Sequence, residues 1–354
     1  MNAVPSFKLS GVAVPSSAAD MLDEICEHFV EHAEVERRGD LALLRSAVGL
    51  ARIEIDTGRL LIDLDCPTTE MLHLSRNILA EHLFYFAEDQ PFELTWSEPT
   101  SLSALPNLHE VTVVSAHDVT PHMRRVIFSC ADITPFVSGD MHVRLLVPPK
   151  GKTPVWPGFR EDGRIAWPEG ENEIVVRVYT IRAVDADRKE VWIDFLQHPV
   201  PGASTPGADF ARDAQPGEVA AFLGPGAGSL PVARSMLLIG DESALPAIAR
   251  IAAEVPPGTR IRAIIEVQDN AEEQPLPTDG VLDVRWLHRS GYPEGASGFL
   301  LAEANAAIET LEDDTFVWAA CERQDIRAIR TCLKGRQHDR KKMYVAWYWE
   351  NISS

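Results

Sequence analysis

Apolar positions in the first hundred residues follow the periods of a small α+β domain. Residues 20–35 have helical periodicity, with one apolar face formed by Met21, Leu22, Ile25, Phe29 and Val30. The alternating stretches "GLARIEID" and "RLLIDLDC" flank Thr57-Gly58, which predicts a β-hairpin. "TTEMLHLSRNILAEHLFYFA" then predicts an amphipathic helix and "FELTW" a last strand. We therefore predict an α+β domain over 1–97 and a Ser- and Pro-rich linker over 98–107.

The pattern over 108–232 is that of short strands separated by turn residues. Six stretches qualify: "HEVTVVS", "HMRRVIFSC", "MHVRLLVP", "EIVVRVYTIRAV", "EVWIDFLQH" and "GEVAAFLG". Because no long helical pattern interrupts them, they predict an antiparallel barrel or sandwich.

From residue 233 to 354 the pattern alternates between apolar strands and helices. Strands are predicted at "SMLLIGD", "RIRAIIEV", "LDVRWLHR", "TFVWAAC" and "KMYVAWYW", and helices at "ALPAIARIAAEV", "GFLLAEANAAIETL" and "RQDIRAIRTCLKG". Such alternation predicts a Rossmann-like α/β domain with a mostly parallel sheet, whose carboxyl edge would bind a nucleotide. By analogy at the level of fold, a barrel of this kind can hold a flavin and the α/β domain can deliver a nicotinamide.

The segment "RVYTIR" puts polar side chains into a strand that is otherwise rich in Val and Ile. Residues two apart share a face, so Arg177 and Tyr179 point one way and Thr180 the other. Arginine can grip a phosphate, an aromatic ring can stack on an isoalloxazine, and a hydroxyl can bond its reactive nitrogen. On spacing alone, the commoner explanation is a barrel strand with one exposed face and snorkelling arginines.

Two further loops invite a phosphate-binding interpretation. In "GDESALPAI", Asp241 or Ser243 can cap the helix that follows, while Asp241 and Glu242 would repel an anion. "GPGAG", residues 224–228, lacks the GxGxxG spacing and precedes no helical pattern, so we interpret it as a linker.

Composition narrows the class of protein. With 354 residues the chain is too long for a single core, and its net charge of −20 argues against a general nucleic-acid or anionic-membrane binder. Its five widely spaced cysteines include no CxxC, which disfavours a disulfide framework or a zinc site and favours the cytoplasm. The N-terminal residues have no secretory h-region, and no apolar run is long enough for membrane insertion.

Several of these motifs together resemble the siderophore-interacting protein family, which are FAD-dependent ferric-siderophore reductases related to the ferredoxin–NADP reductases. "RVYTIR", "DFLQHPVPGAST", "GDESALPAI", "WLHR" and "YVAWYWEN" match the family's markers in order over roughly 108–354. Residues 15–96 resemble a small uncharacterised domain that is sometimes fused ahead of this family.

The resemblance implies site residues by position. Arg177, Tyr179 and Thr180 would hold the FAD phosphate and isoalloxazine. His198 and the turn formed by Gly202, Ala203 and Ser204 would approach the pyrophosphate, although His198 could instead bond its own turn. Asp241, Glu242 and Ser243 would lie at the cleft between flavin and nicotinamide, where capping remains compatible. Candidate substrate residues are Arg124, Arg125, Arg182 and Trp349.

The chain also departs from the family pattern. "PGADF" stands where the family has a tryptophan, and Cys321 replaces a glycine. Cys321 fits either a thiol at the nicotinamide cleft or a small buried residue at a strand end. Glu350 replaces an arginine, which weakens the case for an anionic siderophore in that pocket.

The resemblance implies an FAD-dependent NAD(P)H:ferric-siderophore oxidoreductase. Electrons would come from NADPH, NADH or a reduced ferredoxin-like protein, and Fe(II) would leave its hard oxygen ligands more readily than Fe(III). We expect no catalytic acid or base and no resident metal. Two alternatives stay open: a non-catalytic binder of a ferric chelate or flavin, and a flavin reductase with a non-iron acceptor. The N-terminal domain would be a docking or regulatory module.

Overall fold

The computed structural model describes residues 6–30, 33–99, 104–197, 205–291 and 298–351. The chain divides into two compact units. One comprises residues 1–108 together with 153–174, and the other comprises residues 109–152 together with 175–354. No helix in the described part of the chain is long and apolar enough to cross a membrane.

The first unit contains an antiparallel sheet with two helices. Its elements are β1 (Phe7–Val14), α1 (Ala18–Phe29), β2 (Glu34–Arg38), β3 (Leu41–Ser46), β4 (Gly49–Asp56), β5 (Arg59–Cys66), α2 (Thr69–Ala87) and β6 (Glu93–Trp96). The strand order is β2-β3-β4-β5-β1-β6. Both helices begin at a side-chain cap, because Ser17 and Thr68 each accept a hydrogen bond from a first-turn amide.

The predicted hairpin of β4 and β5 is confirmed, with Thr57 and Gly58 both at positive φ. The predicted helix over 20–35 is shorter than expected and ends at Phe29. Val30 therefore caps the helix instead of joining its apolar face, and it is 61% exposed.

A small hairpin from the middle of the chain also belongs to the first unit. It consists of β10 (Gly158–Phe159) and β11 (Ile165–Ala166), inside the segment 153–174. The sequence places this segment in a barrel domain over 108–232, whereas its turn folds against α2 through side-chain hydrogen bonds from Arg76 and Asn77. The predicted boundaries at 97, 107 and 232 stay predictions.

The second unit begins with a closed antiparallel barrel. Its elements are β7 (Leu108–Thr120), β8 (Met123–Cys130), α3 (Thr134–Val137), β9 (His142–Val147), β12 (Val175–Asp185), β13 (Glu190–Leu196), α4 (Pro206–Asp213) and β14 (Val219–Leu223). The strands close in the order β12-β13-β8-β7-β14-β9. The six predicted strands are confirmed, and α4 is an element that strand pattern alone does not predict.

The rest of the second unit is a five-stranded parallel sheet. It comprises β15 (Ser235–Gly240), α5 (Leu245–Glu254), β16 (Arg260–Val267), β17 (Val281–His288), α6 (Phe299–Glu309), β18 (Phe316–Glu322), α7 (Arg323–Gly335) and β19 (Met343–Trp349). The order is β17-β16-β15-β18-β19, and every pair is parallel. Met236 and Leu238 pack with α5, while Leu237 and Ile239 pack with α6 and α7, so both faces are covered. The predicted Rossmann-like domain is confirmed.

Buried polar contacts join the barrel to the α/β domain. Arg250 of α5 is 1% exposed, and its guanidinium donates to the carbonyls of Ile181 and Phe136 at 3.1 and 3.0 Å. Glu272 accepts hydrogen bonds from the Thr120 hydroxyl and from the backbone amide of His122. These contacts place α5 beside β12, and the segment after β16 beside the turn between β7 and β8.

Candidate functional site

The strand β12 presents the "RVYTIR" side chains on two faces. Tyr179 and Ile181 pack with the barrel core, and the Tyr179 ring lies 4.3 Å from that of Phe195. Arg177, two residues before Tyr179 on the same strand, is exposed. Among the described residues, its guanidinium makes one hydrogen bond, to the Val176 carbonyl at 2.8 Å. Most of its donors are therefore available to a phosphate.

The first turn of α4 lies against this strand. A Cβ atom at Gly207 would stand 1.8 Å from the Tyr179 hydroxyl oxygen, so only glycine allows the helix to start this close. The N-cap Thr205 makes no side-chain capping bond. Burial raises the pKa of Tyr179 to about 12, which keeps the phenol neutral. The helix start itself is occupied, because the Thr205 amide donates to the Asp209 carboxylate at 3.0 Å. Exposed Arg177 is therefore the group on this strand that suits a phosphate.

Thr180 lies on the opposite face of β12 and is buried. The phenol of Tyr348 from β19 lies close to the Thr180 hydroxyl. The Tyr348 hydroxyl in turn lies 2.6 Å from Nε2 of His142. Nδ1 of His142 lies 3.1 Å from the Ala227 carbonyl, which can only accept, so Nδ1 carries the proton and Nε2 accepts from Tyr348.

Burial sets the charge state of these three neighbouring side chains, which we call the Thr180–Tyr348–His142 network. It lowers the pKa of His142 and raises that of Tyr348 well above its usual value. All three side chains are therefore neutral at physiological pH. The network connects the candidate flavin strand to the last strand of the α/β domain.

Asp241 follows β15 and is buried at the carboxyl edge of the sheet. It accepts hydrogen bonds from the backbone amide of Ser243 at 2.9 Å and from the Trp349 indole at 2.7 Å. The expectation that Asp241 or Ser243 caps the helix is wrong, because α5 begins after Ala244 with no side-chain cap. Asp241 instead closes the turn ahead of the helix. Burial raises the pKa of this carboxyl.

Glu242 is also buried, and Arg289 neutralises it. The Arg289 guanidinium makes a two-pronged contact with Glu242 and lies 3.3 Å from Glu266. The turn is tightly packed, because a Cβ at Gly240 would stand 2.9 Å from the Ala320 carbonyl. The first βα turn therefore has neither the open glycines nor the free donors of a phosphate loop.

Cys321 lies near the carboxyl end of β18, at the same edge of the sheet. At this edge β15 and β18 are neighbours, and the strand order reverses between them. Its side chain is fully buried, and burial together with nearby carboxylates raises the pKa of the thiol. The structure supports a small buried residue at the strand end. A protonated, inaccessible thiol is a poor nucleophile.

Trp349 is 45% exposed, so the indole that binds Asp241 also presents an open ring surface. Glu350, which replaces the family's arginine, forms an ion pair with Arg323. This contact neutralises the acidic side chain locally.

The three candidate substrate arginines are bound to different degrees. Arg124 donates to Asp118 and to the Ala211 carbonyl, and Arg125 grips Asp194 through two bonds of 2.6 and 2.8 Å. Arg182 approaches the same carboxylate only to 4.0 Å, and its buried Nε has no hydrogen-bond partner among the described residues. The Asp194 carboxylate thus faces the guanidinium groups of both Arg125 and Arg182. Of the three arginines, Arg182 is the one with donors that remain available for a ligand.

His198, Gly202, Ala203 and Ser204 lie outside the described residues. The proposed pyrophosphate turn is therefore a prediction from sequence. So are the cofactor and substrate roles of the other candidate residues.

Sequence reasoning missed Tyr348, His142, Gly207 and Arg289. Tyr348 and Arg289 lie inside the motifs "YVAWYWEN" and "WLHR", but no local spacing says what they bond. His142 and Gly207 are single residues in ordinary strand and helix surroundings. Only contacts between distant parts of the chain reveal them.

Comparison with family models and curated proteins agrees with this architecture. Residues 112–229 match the siderophore-interacting FAD-binding domain, residues 233–351 match the siderophore-interacting protein model, and residues 11–97 match an uncharacterized protein family conserved in bacteria (DUF2218). The ferric vibriobactin reductase ViuB of Vibrio cholerae is 27% identical over 239 residues, which cover 66% of this chain and 85% of that protein. An uncharacterized protein of Mycobacterium tuberculosis is 32% identical over 54% of this chain and 70% of its own length.

Solved structures resemble the same part of the chain. A siderophore utilization protein from T. fusca is 34% identical with a TM-score of 0.59, over 73% of this chain and 98% of that one. The siderophore-interacting protein SipS from Aeromonas hydrophila is 26% identical with a TM-score of 0.57, over 70% and 93% of the two chains. The chain therefore belongs to the siderophore-interacting protein family, and its barrel is that family's FAD-binding domain.

Proposed function

We propose that this protein is a flavin-dependent reductase that passes electrons through FAD to Fe(III) held in a siderophore and so releases Fe(II). The observation that carries the proposal is exposed Arg177 on β12, whose guanidinium makes one hydrogen bond among the described residues, inside the FAD-binding barrel. The ferric vibriobactin reductase and the ferric acinetobactin reductase of Acinetobacter baumannii, 28% identical over 53% of this chain, support the iron acceptor.

The residues of this chain have positioning roles in the proposal. Arg177 would bind a phosphate of FAD, and Tyr179 would support the strand edge on which the flavin rests. The Thr180–Tyr348–His142 network would hold the Thr180 hydroxyl in one orientation next to the isoalloxazine. Bound FAD would supply the redox chemistry, since it accepts two electrons together and can release them singly. No proton donor or nucleophile from the chain is needed.

The acceptor side has a smaller basic surface than the sequence implies. Arg124 and Arg125 form ion pairs with Asp118 and Asp194. Arg182 is therefore the remaining candidate for binding an anionic group of the chelate. Trp349 could contact the ligand through its exposed ring. Release of the metal would follow from the weaker binding of Fe(II) by hard oxygen donors.

The donor is proposed to be NADPH, NADH or a reduced ferredoxin-like protein. The parallel sheet supports a nicotinamide at its carboxyl edge. The buried acids Asp241 and Glu242 in the first turn oppose a pyrophosphate there, which leaves a protein donor open. A cytoplasmic location belongs to the same proposal.

Anaerobic titration of the FAD-loaded protein with each nicotinamide, followed at the flavin absorbance, tests the donor. We expect bleaching by NADH or NADPH and recovery of the colour on adding a ferric siderophore. A protein that takes up no FAD would contradict every flavin-based function. Bleaching that only a quinone reverses would favour the non-iron reductase, and FAD uptake with no reduction by any donor would favour a non-catalytic binder.

A further inference from the structure

The hairpin β10–β11 is held by the face of α2 and the end of β6. Three successive backbone carbonyls in its turn accept hydrogen bonds from the first domain. Glu161 accepts from the Arg76 guanidinium at 2.7 Å, Asp162 from the Trp96 indole at 2.8 Å, and Gly163 from the Asn77 amide at 3.0 Å. Three hydrogen bonds to successive carbonyls hold the turn in one position on the first domain.

The burial of Arg76 makes this docking energetically important. Its side chain is 2% exposed, and it lies over the Trp96 ring at 5.4 Å. Burial lowers the pKa of its guanidinium, and Nε has no hydrogen-bond partner among the described residues. A buried cation that loses its acceptors is costly. The shortest hydrogen bond of the Arg76 guanidinium is the one to the Glu161 carbonyl. The buried cation on α2 therefore depends on the hairpin for its best acceptor.

The strand following the turn is held in the same way. The Ile165 amide donates to the Glu81 carboxylate of α2 at 2.8 Å, and the Arg164 guanidinium lies 3.4 Å from the centre of the Phe84 ring. Gly163 has φ +93°, and a Cβ there would stand 3.0 Å from both Cγ and Nε of Arg76. A side chain at this position would therefore strain the backbone and force Arg76 to shift.

The docked segment continues directly into the candidate flavin strand. Residues 153–174 belong to the first unit, and β12 begins at Val175, two residues before Arg177. The same segment is the whole connection between β9 and β12, apart from the few residues after Val147. Pairing with β9 and β13 already holds β12, so the docked connection adds a restraint on the chain that enters the strand just before Arg177.

We propose that the N-terminal domain serves as the docking surface for residues 158–166 of its own chain, and that this docking strengthens FAD binding on β12. The coupling rests on the proposed flavin site. It assigns the N-terminal domain a positioning role that acts through the covalent connection into β12.

Gly163→Val tests the docking, and Gly58→Val is the matched control. Both glycines have positive φ, +93° and +80°, so valine strains the backbone in each, but nothing lies within 4 Å of a Cβ at Gly58. Asn77→Ala is a milder second variant from the helix side, since it removes one hydrogen bond and adds a good helix former. Two measurements are made on each full-length protein: the rate of tryptic cleavage after Arg160 and Arg164, and the Kd for FAD.

We expect Gly163→Val and Asn77→Ala to be cleaved faster and to bind FAD about five- to tenfold more weakly, as losing one or two hydrogen bonds would cause. Gly58→Val should change neither quantity. Unchanged cleavage would refute the docking. Faster cleavage with an unchanged Kd would refute the coupling while leaving the flavin site intact, whereas wild-type protein that binds no FAD would overturn the proposed function as well.

Discussion

Arg177 is the side chain on which the flavin assignment depends most. It is exposed, and a charge-assisted hydrogen bond to a phosphate contributes about 1.5–3 kcal/mol. We therefore expect Arg177→Ala to raise the Kd for FAD by roughly tenfold to a hundredfold, measured by quenching of flavin fluorescence.

The control for that experiment is Arg188→Ala. Arg188 is an exposed arginine near the far end of β12, and it is paired with Glu190. Its loss should leave FAD affinity unchanged. Stoichiometric flavin in purified Arg177→Ala would contradict the assignment of β12.

His142 makes folding stability depend on pH. Burial lowers its pKa in the folded protein, so the unfolded chain takes up the proton first as the pH falls. The contribution of His142 to folding stability is fully present above the ordinary histidine pKa of about 6.5. This contribution is lost as the pH falls through the lower pKa of the folded protein. His142→Gln should flatten this part of the pH dependence, as measured by urea unfolding at pH 7.5 and 5.5.

Part of the slope should survive in the variant, because burial also lowers the pKa values of His73 and His109. The exposed His117 provides the control, and His117→Gln should behave like the wild type. An unchanged slope in His142→Gln would show that the buried imidazole titrates normally.

The helix α4 positions its first turn against β12 through Gly207. An added methyl group would collide with the Tyr179 hydroxyl, so Gly207→Ala must move the helix or the ring. We expect a loss of about 1–3 kcal/mol in the free energy of unfolding together with weaker FAD binding. Chemical denaturation and flavin titration measure the two effects.

Gly335→Ala is the matched change in another helix. Gly335 belongs to α7, and nothing lies within 4 Å of a Cβ there. Alanine should be neutral or slightly stabilising at this position. Equal losses in both variants would mean that the contact between Gly207 and Tyr179 is not what matters.

Elements with a strong local signal could be predicted from the sequence. The hairpin of β4 and β5 follows from alternation and a turn pair, and α7 has an apolar stripe and begins and ends at the predicted residues. Strands β1 to β3 escape the pattern because their polar and apolar positions alternate only in part. The short helix α4 begins at Pro206 among residues that also suit a turn.

The candidate site was predictable only in outline. The motifs point to β12 and to the turn after β15, but the proximity of Thr180 and Tyr348 joins residues far apart in the chain. The partners of Arg124 and Arg125 also come from other strands or from α4, which sequence spacing does not indicate. The docking of 158–166 on α2 is likewise a long-range contact inside one unit.

For the molecule as a whole, the net charge of −20 should influence which chelates approach. A protein of this charge repels an anionic ferric complex and attracts a cationic one. We expect the second-order rate constant with an anionic complex to rise between about 0.01 M and 0.15 M ionic strength, where the screening length falls from about 30 Å to about 8 Å. Stopped-flow mixing at several salt concentrations measures it.

A neutral ferric complex should show little salt dependence and serves as the control. A rate constant that falls with added salt for the anionic complex would indicate that local basic side chains at the binding site outweigh the total charge.

Reduction of siderophore-bound iron can be measured most directly without a biological donor. The FAD-loaded protein is reduced anaerobically with dithionite, freed of excess reductant and mixed with a ferric siderophore in the presence of an Fe(II) trap. We predict that the flavin absorbance returns and that two Fe(II) appear for each FAD, because each iron takes one electron. The gallium complex of the same siderophore, which cannot be reduced in this way, should leave the flavin bleached. A flavin that stays reduced with the ferric complex but is reoxidised by a quinone would contradict the account.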